Sequence, residues 1–169
     1  GIGFEAAKRI VGANQNTIIG AYAGYRITEG DENTLIGYNC GGSITTGAMN
    51  TVVGRQCLAT LTTGSKNIAI GHDAMENSTT CSGNVAIGYL AGQNITTGNS
   101  SVFIGEDAGK STTTGSANVA VGYHALYDNT TGLKNVAIGD VALQNNTTGQ
   151  YNIAIGSQAL DSATDAYWN

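Results

Sequence analysis

Few side chains in this chain could do chemistry, and their spacing does not bring them together. The two histidines, His72 and His124, have no regular column of acidic or thiol residues beside them. A metal site needs three or four convergent ligands, and a calcium-binding solenoid carries a glycine-rich, Asp-bearing signature that is absent here. Ser, His and Asp do not occur at spacings that would bring them together as a catalytic triad. The sequence therefore predicts no catalytic residue, no metal site and no cofactor.

The three cysteines are the other reactive candidates. Cys40 and Cys57 are 17 residues apart, which would place them within disulfide range if successive 17-residue units stack as neighbouring strands. Alternatively, both are small buried side chains at a position that otherwise holds Ala. Cys81 has no partner, and an odd number of cysteines argues against a disulfide framework. We favour free thiols.

These residues belong to a repeat that organises the whole chain. A glycine closes an apolar run every 17 residues from Gly3 to Gly156, without insertion or deletion. Asn stands four residues before the glycine, with Ser101 as the one substitute, and Ala or Cys stands three residues after it. One unit cannot offset its ordering entropy alone, so the units must stack. Residues 1–169 are therefore expected to form one repeat domain of ten 17-residue coils, cut from a longer fibrous protein.

The composition excludes several other classes of protein. Only 11% of residues are charged, proline is absent, and the net charge of −5 has no clustered run. Nothing here attracts nucleic acid or an anionic membrane, and no apolar stretch is long enough for membrane insertion. With 41% hydrophobic residues, disorder is not expected either. An all-β chain is predicted, because glycine interrupts every segment that could carry a helical period.

The five residues from Asn to Gly, typified by N-V-A-I-G, predict a short strand. Alternation places its second and fourth residues on one face and its third on the other. The fourth residue is always Ile or Val, so we expect that face inside the coil. The T-T-G segment is expected to form a second extended piece ending in a glycine with positive φ. The Asn column should form an amide ladder.

The third residue of the strand is also apolar in every coil, and this predicts a second buried face. The column includes Ile18, Leu35, Val52 and Phe103. Small residues such as Ala are tolerated on an outer face, which is one interpretation. The other is that this face packs against partner chains around a common axis. We prefer the second, because the larger side chains would otherwise lie in water.

The repeat also resembles known sequences. The N-V-A-I-G-x-x-A unit resembles the head repeats of trimeric autotransporter adhesins. The longer N-x-x-I-G-x-x-A-G-x-x-x-T-T-G form, which runs from Gly3 to about Thr164, is more similar to repeats in bacteriophage tail fibres and related surface proteins. The resemblance implies a left-handed parallel β-roll assembled as a homotrimer. Phage members of this group often carry a C-terminal self-cleaving chaperone domain.

Exposed aromatic side chains are the only candidate binding residues. Tyr38, Tyr89 and Tyr123 occupy the column just after the strand glycine, and aromatic rings often hold sugars. Other residue types interrupt the column, so ordinary surface packing is the alternative.

Three functions are compatible with this pattern. The leading expectation is a structural, non-enzymatic segment of a phage tail fibre or similar trimeric appendage, located on a virion or cell surface and involved in attachment to a host glycan or protein. The second is the head module of a bacterial adhesin. The third is an ice-binding solenoid, which the Thr ladder suggests, although only one file of Thr should point outward.

Overall fold

A computed structural model describes all 169 residues and shows one parallel sheet that runs the length of the chain. Each 17-residue coil contributes one short strand to it. The strands are Thr17–Ile19 (β1), Thr34–Ile36 (β2), Thr51–Val53 (β3), Ile68–Ile70 (β4), Val85–Ile87 (β5), Val102–Ile104 (β6), Val119–Val121 (β7), Val136–Ile138 (β8) and Ile153–Ile155 (β9). Isolated bridges join Ile2 to Ile19 and Gln150 to Tyr167, so the stacking continues to both ends of the chain. The predicted all-β parallel solenoid is confirmed.

Successive coils pair in a register of 17 residues without exception, as in the pairing of Thr17 with Thr34. The strands alone do not hold the coils together, since they contain only 16 of the 113 backbone hydrogen bonds. Most of the others join corner residues of one coil to the same corner of the next, such as the Gly24 N–H to the Cys40 carbonyl at 3.0 Å. No segment forms a helix of the length and apolarity that crossing a membrane would require.

The prediction of a second extended piece at T-T-G is wrong. The segment forms a bend rather than a strand, and its glycines do not have positive φ. Glycine is needed there because the neighbouring coil passes close by. A Cβ on Gly47 would lie 2.5 Å from the carbonyl oxygen of Gly64.

The predicted orientation of the strand is also wrong. Ile18, Leu35, Val52 and Phe103 lie inside the coil of their own chain, with exposures of 4%, 0%, 0% and 0%. The second and fourth residues of the Asn-to-Gly segment, which are the first and last residues of each strand, point outward instead. Alternation separates the two faces, but the turns decide which one the chain encloses. The strand glycine, with φ of +128° at Gly20, and the left-handed residues that follow it bend the coil toward the third residue.

The large side chains of this inner column fit because the chain leaves room for them six residues later. Ile18, Leu35 and Phe103 are followed at that distance by Gly24, Gly41 and Gly109. In four of the five coils whose inner residue is Ala, the residue six positions on is larger, giving the pairs Ala69–Met75, Ala120–Leu126, Ala137–Leu143 and Ala154–Leu160. The exception is Ala86, which is followed by Gly92; there the large side chains of the two adjacent coils, Phe103 and Met75, approach the glycine. The core is therefore filled by complementary volumes within most coils and between neighbours in the other, as dense packing requires.

The expected asparagine ladder is confirmed and is buried. The Asn50 amide donates to the Asn33 side-chain oxygen at 3.0 Å and to the Gly64 carbonyl at 3.0 Å. Asn67 donates to Asn50 in the same way at 3.0 Å. Ser101 interrupts the amide chain, although its backbone N–H still donates to Asn84 at 2.9 Å. The ladder satisfies polar groups that would otherwise be unpaired in the core.

Candidate interaction surface

The most distinctive surface of the rod is the outer side of its sheet. We call it the strand face and define it as the outward side chains at the second and fourth positions of the Asn-to-Gly segments, which are the first and last residues of β1 to β9. The second-position file is Thr17, Thr34, Thr51, Ile68, Val85, Val102, Val119, Val136 and Ile153. The fourth-position file is Ile19, Ile36, Val53, Ile70, Ile87, Ile104, Val121, Ile138 and Ile155. Every member is β-branched, none is charged, and all are at least partly exposed.

The strand face is a long apolar strip bounded by polar residues. Ile19, Ile68 and Ile138 keep 40%, 38% and 37% of their surface exposed. At a strand spacing of about 4.8 Å and a rise of about 3.3 Å per residue, the strip covers on the order of 400 Å². The columns that border it carry charges, such as Lys134 on one side and Asp140 on the other. Contiguous apolar surface of this size with a polar rim is typical of an interaction site.

The three candidate tyrosines lie on the corner beside the strand face and do not form one platform. Tyr38, Tyr89 and Tyr123 are each about half exposed. Each packs against a different local partner: Tyr22 edge-on with ring centroids 6.0 Å apart, His72 at 5.6 Å, and His124 stacked at 3.9 Å. The structure thus divides them into three separate aromatic patches, and the surface of the rod has no pocket.

Each histidine has one carboxylate partner, although no regular column of acidic residues lies beside either of them. His72 Nδ1 lies 3.0 Å from Asp73 Oδ2, and its Nε2 lies 2.6 Å from Arg55 Nη1. His124 Nε2 lies 3.2 Å from Asp107 Oδ2. Asp107 precedes His124 by one repeat, so a comparison of equivalent positions in neighbouring coils could have found this pair. No three His, Cys, Asp or Glu side chains come together.

His124 and Asp107 belong to a cluster of aromatic rings and charged groups on the surface. The His124 ring is stacked between Tyr123 and Tyr127, with centroid distances of 3.9 Å and 4.6 Å. Lys110 Nζ lies 3.1 Å from the other Asp107 oxygen and 5.5 Å from the Tyr127 ring centroid. These contacts join two adjacent coils.

About half of the threonine hydroxyls in the T-T-G segments form hydrogen bonds within the chain. The first Thr of each T-T-G segment donates its hydroxyl to a backbone carbonyl of the next coil, as Thr45 does to Thr62 at 3.1 Å. The second Thr forms an exposed file, represented by Thr46, Thr63 and Thr97. The first file therefore has its hydroxyls occupied, and a regular double array of free hydroxyls, which an ice-binding face requires, is not formed here.

The cysteines are free and buried. Burial raises the pKa of Cys40 to about 12, with a contribution from the neighbouring Cys57, whose own pKa burial raises to about 11. The Cys40 thiol donates to the Gly37 carbonyl at 3.3 Å. Neutral, enclosed thiols of this kind are poor nucleophiles, so the structure gives these residues a packing role.

The raised thiol pKa values predict a loss of stability in alkali. Below pH 9.0, the ordinary pKa of a thiol, both folded and unfolded states keep Cys40 and Cys57 protonated, and the contribution does not change. Above it the unfolded chain releases these protons while the folded chain retains them until about 11 to 12, so the free energy of unfolding falls as pH rises. Urea denaturation at pH 8 and pH 10 measures this loss. The double variant Cys40→Ala/Cys57→Ala, which restores the usual residue of the column, should lose less stability over that interval; an equal loss would contradict the assignment.

The architecture defines the chain as a parallel β-solenoid with 17-residue coils. In comparisons with known proteins the chain matches no family model, no curated protein and no solved structure.

Proposed function

We propose that the chain is a structural, non-catalytic rod segment of a homotrimeric surface appendage, of the tail-fibre type, in which the strand faces of three chains pack around a common axis. The observation that supports this is the uncharged strand face, which continues over all nine strands. The resemblance of the repeat to those of tail fibres and adhesin heads points to the same class. The interface is thus assigned to the second and fourth strand positions, in place of the inner column of Ile18, Leu35, Val52 and Phe103.

The number of chains in the proposal comes from the resemblance of the repeat to those of trimeric fibres and adhesin heads. Three strips of on the order of 400 Å² each bring together about 1,200 Å² in total, or about 400 Å² in each of the three pairwise contacts. Closed rotational symmetry also buries every copy of the strip equally. Side chains of Ile and Val suit such packing because their rotamers are restricted before association.

In this arrangement the corners of the coils form the outer surface of the appendage. The patches around Tyr38, Tyr89 and Tyr123 then face outward, where they are available for weak contacts with a host glycan or protein. The main role of the segment is to hold another part of the appendage away from the particle or cell. A head module of a bacterial adhesin is the alternative; it differs in being followed by a coiled-coil stalk and membrane anchor rather than by a tip or chaperone domain.

The solution mass of the chain tests the proposal. Light scattering should give three times the 17.2 kDa of one chain. The double variant Val102→Glu/Ile104→Glu places two carboxylates in the centre of the strand face and should reduce the mass to that of one chain, with the circular dichroism of the solenoid retained. The matched control Thr97→Glu/Thr114→Glu changes exposed residues of the T-T-G file and should leave the mass unchanged. A parent chain that is folded and monomeric at high concentration would overturn the proposal.

A further inference from the structure

The strand face is not uniform along its length. Its second-position file begins with three threonines, Thr17, Thr34 and Thr51, and continues with Ile or Val from Ile68 to Ile153. The fourth-position file is aliphatic throughout. One end of the strip therefore carries three consecutive hydroxyls, and the rest carries none.

The three hydroxyls have no partner within the chain. Thr17, Thr34 and Thr51 form no side-chain hydrogen bond, whereas the first Thr of the T-T-G segments donates to a backbone carbonyl, as Thr28 does to Thr45 at 3.1 Å. Thr17 is exposed, and Thr34 and Thr51 are half-buried. Once a partner covers the strand face, each of these hydroxyls needs a hydrogen-bonding group from the partner or from enclosed water.

We infer that Thr17, Thr34 and Thr51 fix the direction and register in which copies of this chain associate. This inference rests on the trimer of the proposed function. A uniform repeat can slip by a whole coil at little cost, because every coil offers the same surface to its partner. The three coils that carry Thr17, Thr34 and Thr51 differ from the rest, so the slipped arrangements are no longer equivalent to the aligned one. In a parallel, in-register assembly the hydroxyls of all three chains lie at the same heights and can satisfy one another.

Other arrangements leave the hydroxyls facing aliphatic side chains. An antiparallel arrangement places the end that contains Thr17 beside the end that contains Ile153. A slip of one coil places Thr51 of one chain at the height of Ile68 of the next. In both cases a hydroxyl loses its partner on burial, and an unpaired polar group at an interface is the usual means by which proteins disfavour a wrong pairing.

The experiment measures register and mass separately. A nitroxide spin label is attached to a cysteine introduced by Thr131→Cys, at an exposed site in the T-T-G file. The substitutions Cys40→Ala, Cys57→Ala and Cys81→Gly remove the native thiols, so that only this position is labelled. Pulsed electron paramagnetic resonance then gives the distances between copies. The parent should show one narrow distance, because all three labels lie at the same height.

The triple variant Thr17→Val/Thr34→Val/Thr51→Val makes the strand face uniformly aliphatic. It should keep the mass of three chains but acquire additional, longer distances, since slipped or antiparallel chains place the labels at different heights. The control Thr46→Val/Thr63→Val/Thr80→Val makes the same change in the exposed Thr file and should keep the single distance. A triple variant that remains trimeric with an unchanged narrow distance overturns the inference while leaving the proposed function intact. A monomeric parent overturns both.

Discussion

Gly88→Ala should prevent stable folding of the central coils. A Cβ at this position would lie 2.5 Å from the carbonyl oxygen and 2.7 Å from the carbonyl carbon of Gly105 in the next coil. Both are backbone atoms held in the stack, so neither can move aside. The backbone φ of +139° adds strain for any residue with a side chain. The free energy of unfolding should fall by more than about 4 kcal/mol, measured by urea denaturation monitored by circular dichroism.

Gly156 provides a control that separates the two causes. Its φ of +125° lies in the same region, but a Cβ there would meet no atom within 4 Å. Gly156→Ala should therefore cost only the backbone strain, about 1–3 kcal/mol, and part of that cost will be relieved because the end of a stack opens locally. Equal losses in the two variants would show that the conformation, rather than the close approach of the next coil, requires glycine.

Phe103→Ala should be the most destabilising change of an inner side chain, and Gly109→Leu should partly reverse it. The Phe103 ring is fully buried between two glycines of successive coils, and a Cβ on Gly92 would lie 2.8 Å from it. Removing the ring should cost about 3–5 kcal/mol. Leu in place of Gly109 then fills the space, as Leu126 does beside Ala120. Gly109 has a φ of +61° and Leu126 a φ of +56°, so the chain already accepts Leu in this conformation.

The double variant Phe103→Ala/Gly109→Leu should be more stable than either single variant. Gly109→Leu alone overpacks the coil against the ring and should cost at least about 1–3 kcal/mol. The resulting coupling should reach about 2–3 kcal/mol, the upper part of the range for residues in contact. Phe103→Ala combined with Gly24→Leu, in a distant coil, supplies the reference and should be additive. A coupling near zero in the first pair would contradict the proposed compensation of volumes.

The period of the solenoid could be predicted from the sequence because every column is repeated in each coil. Asn residues at intervals of 17 residues lie directly above one another in stacked coils, which predicts a ladder of amide hydrogen bonds. The structure contains this ladder from Asn33 to Asn84. The direction in which the strand faces could not be predicted in the same way. Alternation fixes two faces without assigning the inner one, and both faces here are apolar. The choice depends on left-handed residues such as Tyr22 and Asn39, whose types do not reveal that conformation.

Two signals in the sequence would have improved the prediction. The exchange of large and small residues six positions apart, such as Leu35 with Gly41 and Ala137 with Leu143, shows that these positions share one space inside a coil. The presence of Asp107 one repeat before His124 places a carboxylate beside that histidine. Both signals arise from comparing coils with each other, which a search for local motifs does not include. The three tyrosine patches depend on side-chain packing across corners, and the column pattern alone did not contain that information.

The arrangement of backbone hydrogen bonds determines how the rod responds to tension. Most of them join one coil to the next along the long axis, as the Thr34 N–H does to the Asn50 carbonyl at 2.8 Å. Pulling the two ends of the chain apart therefore loads the terminal coil first and detaches coils in succession. Each coil that detaches releases 17 residues, which extend to roughly 50–55 Å of additional length once the lost coil spacing is subtracted. A rod built in this way yields in small, equal steps, and in the proposed appendage this property absorbs a mechanical load before the attachment itself is loaded to failure.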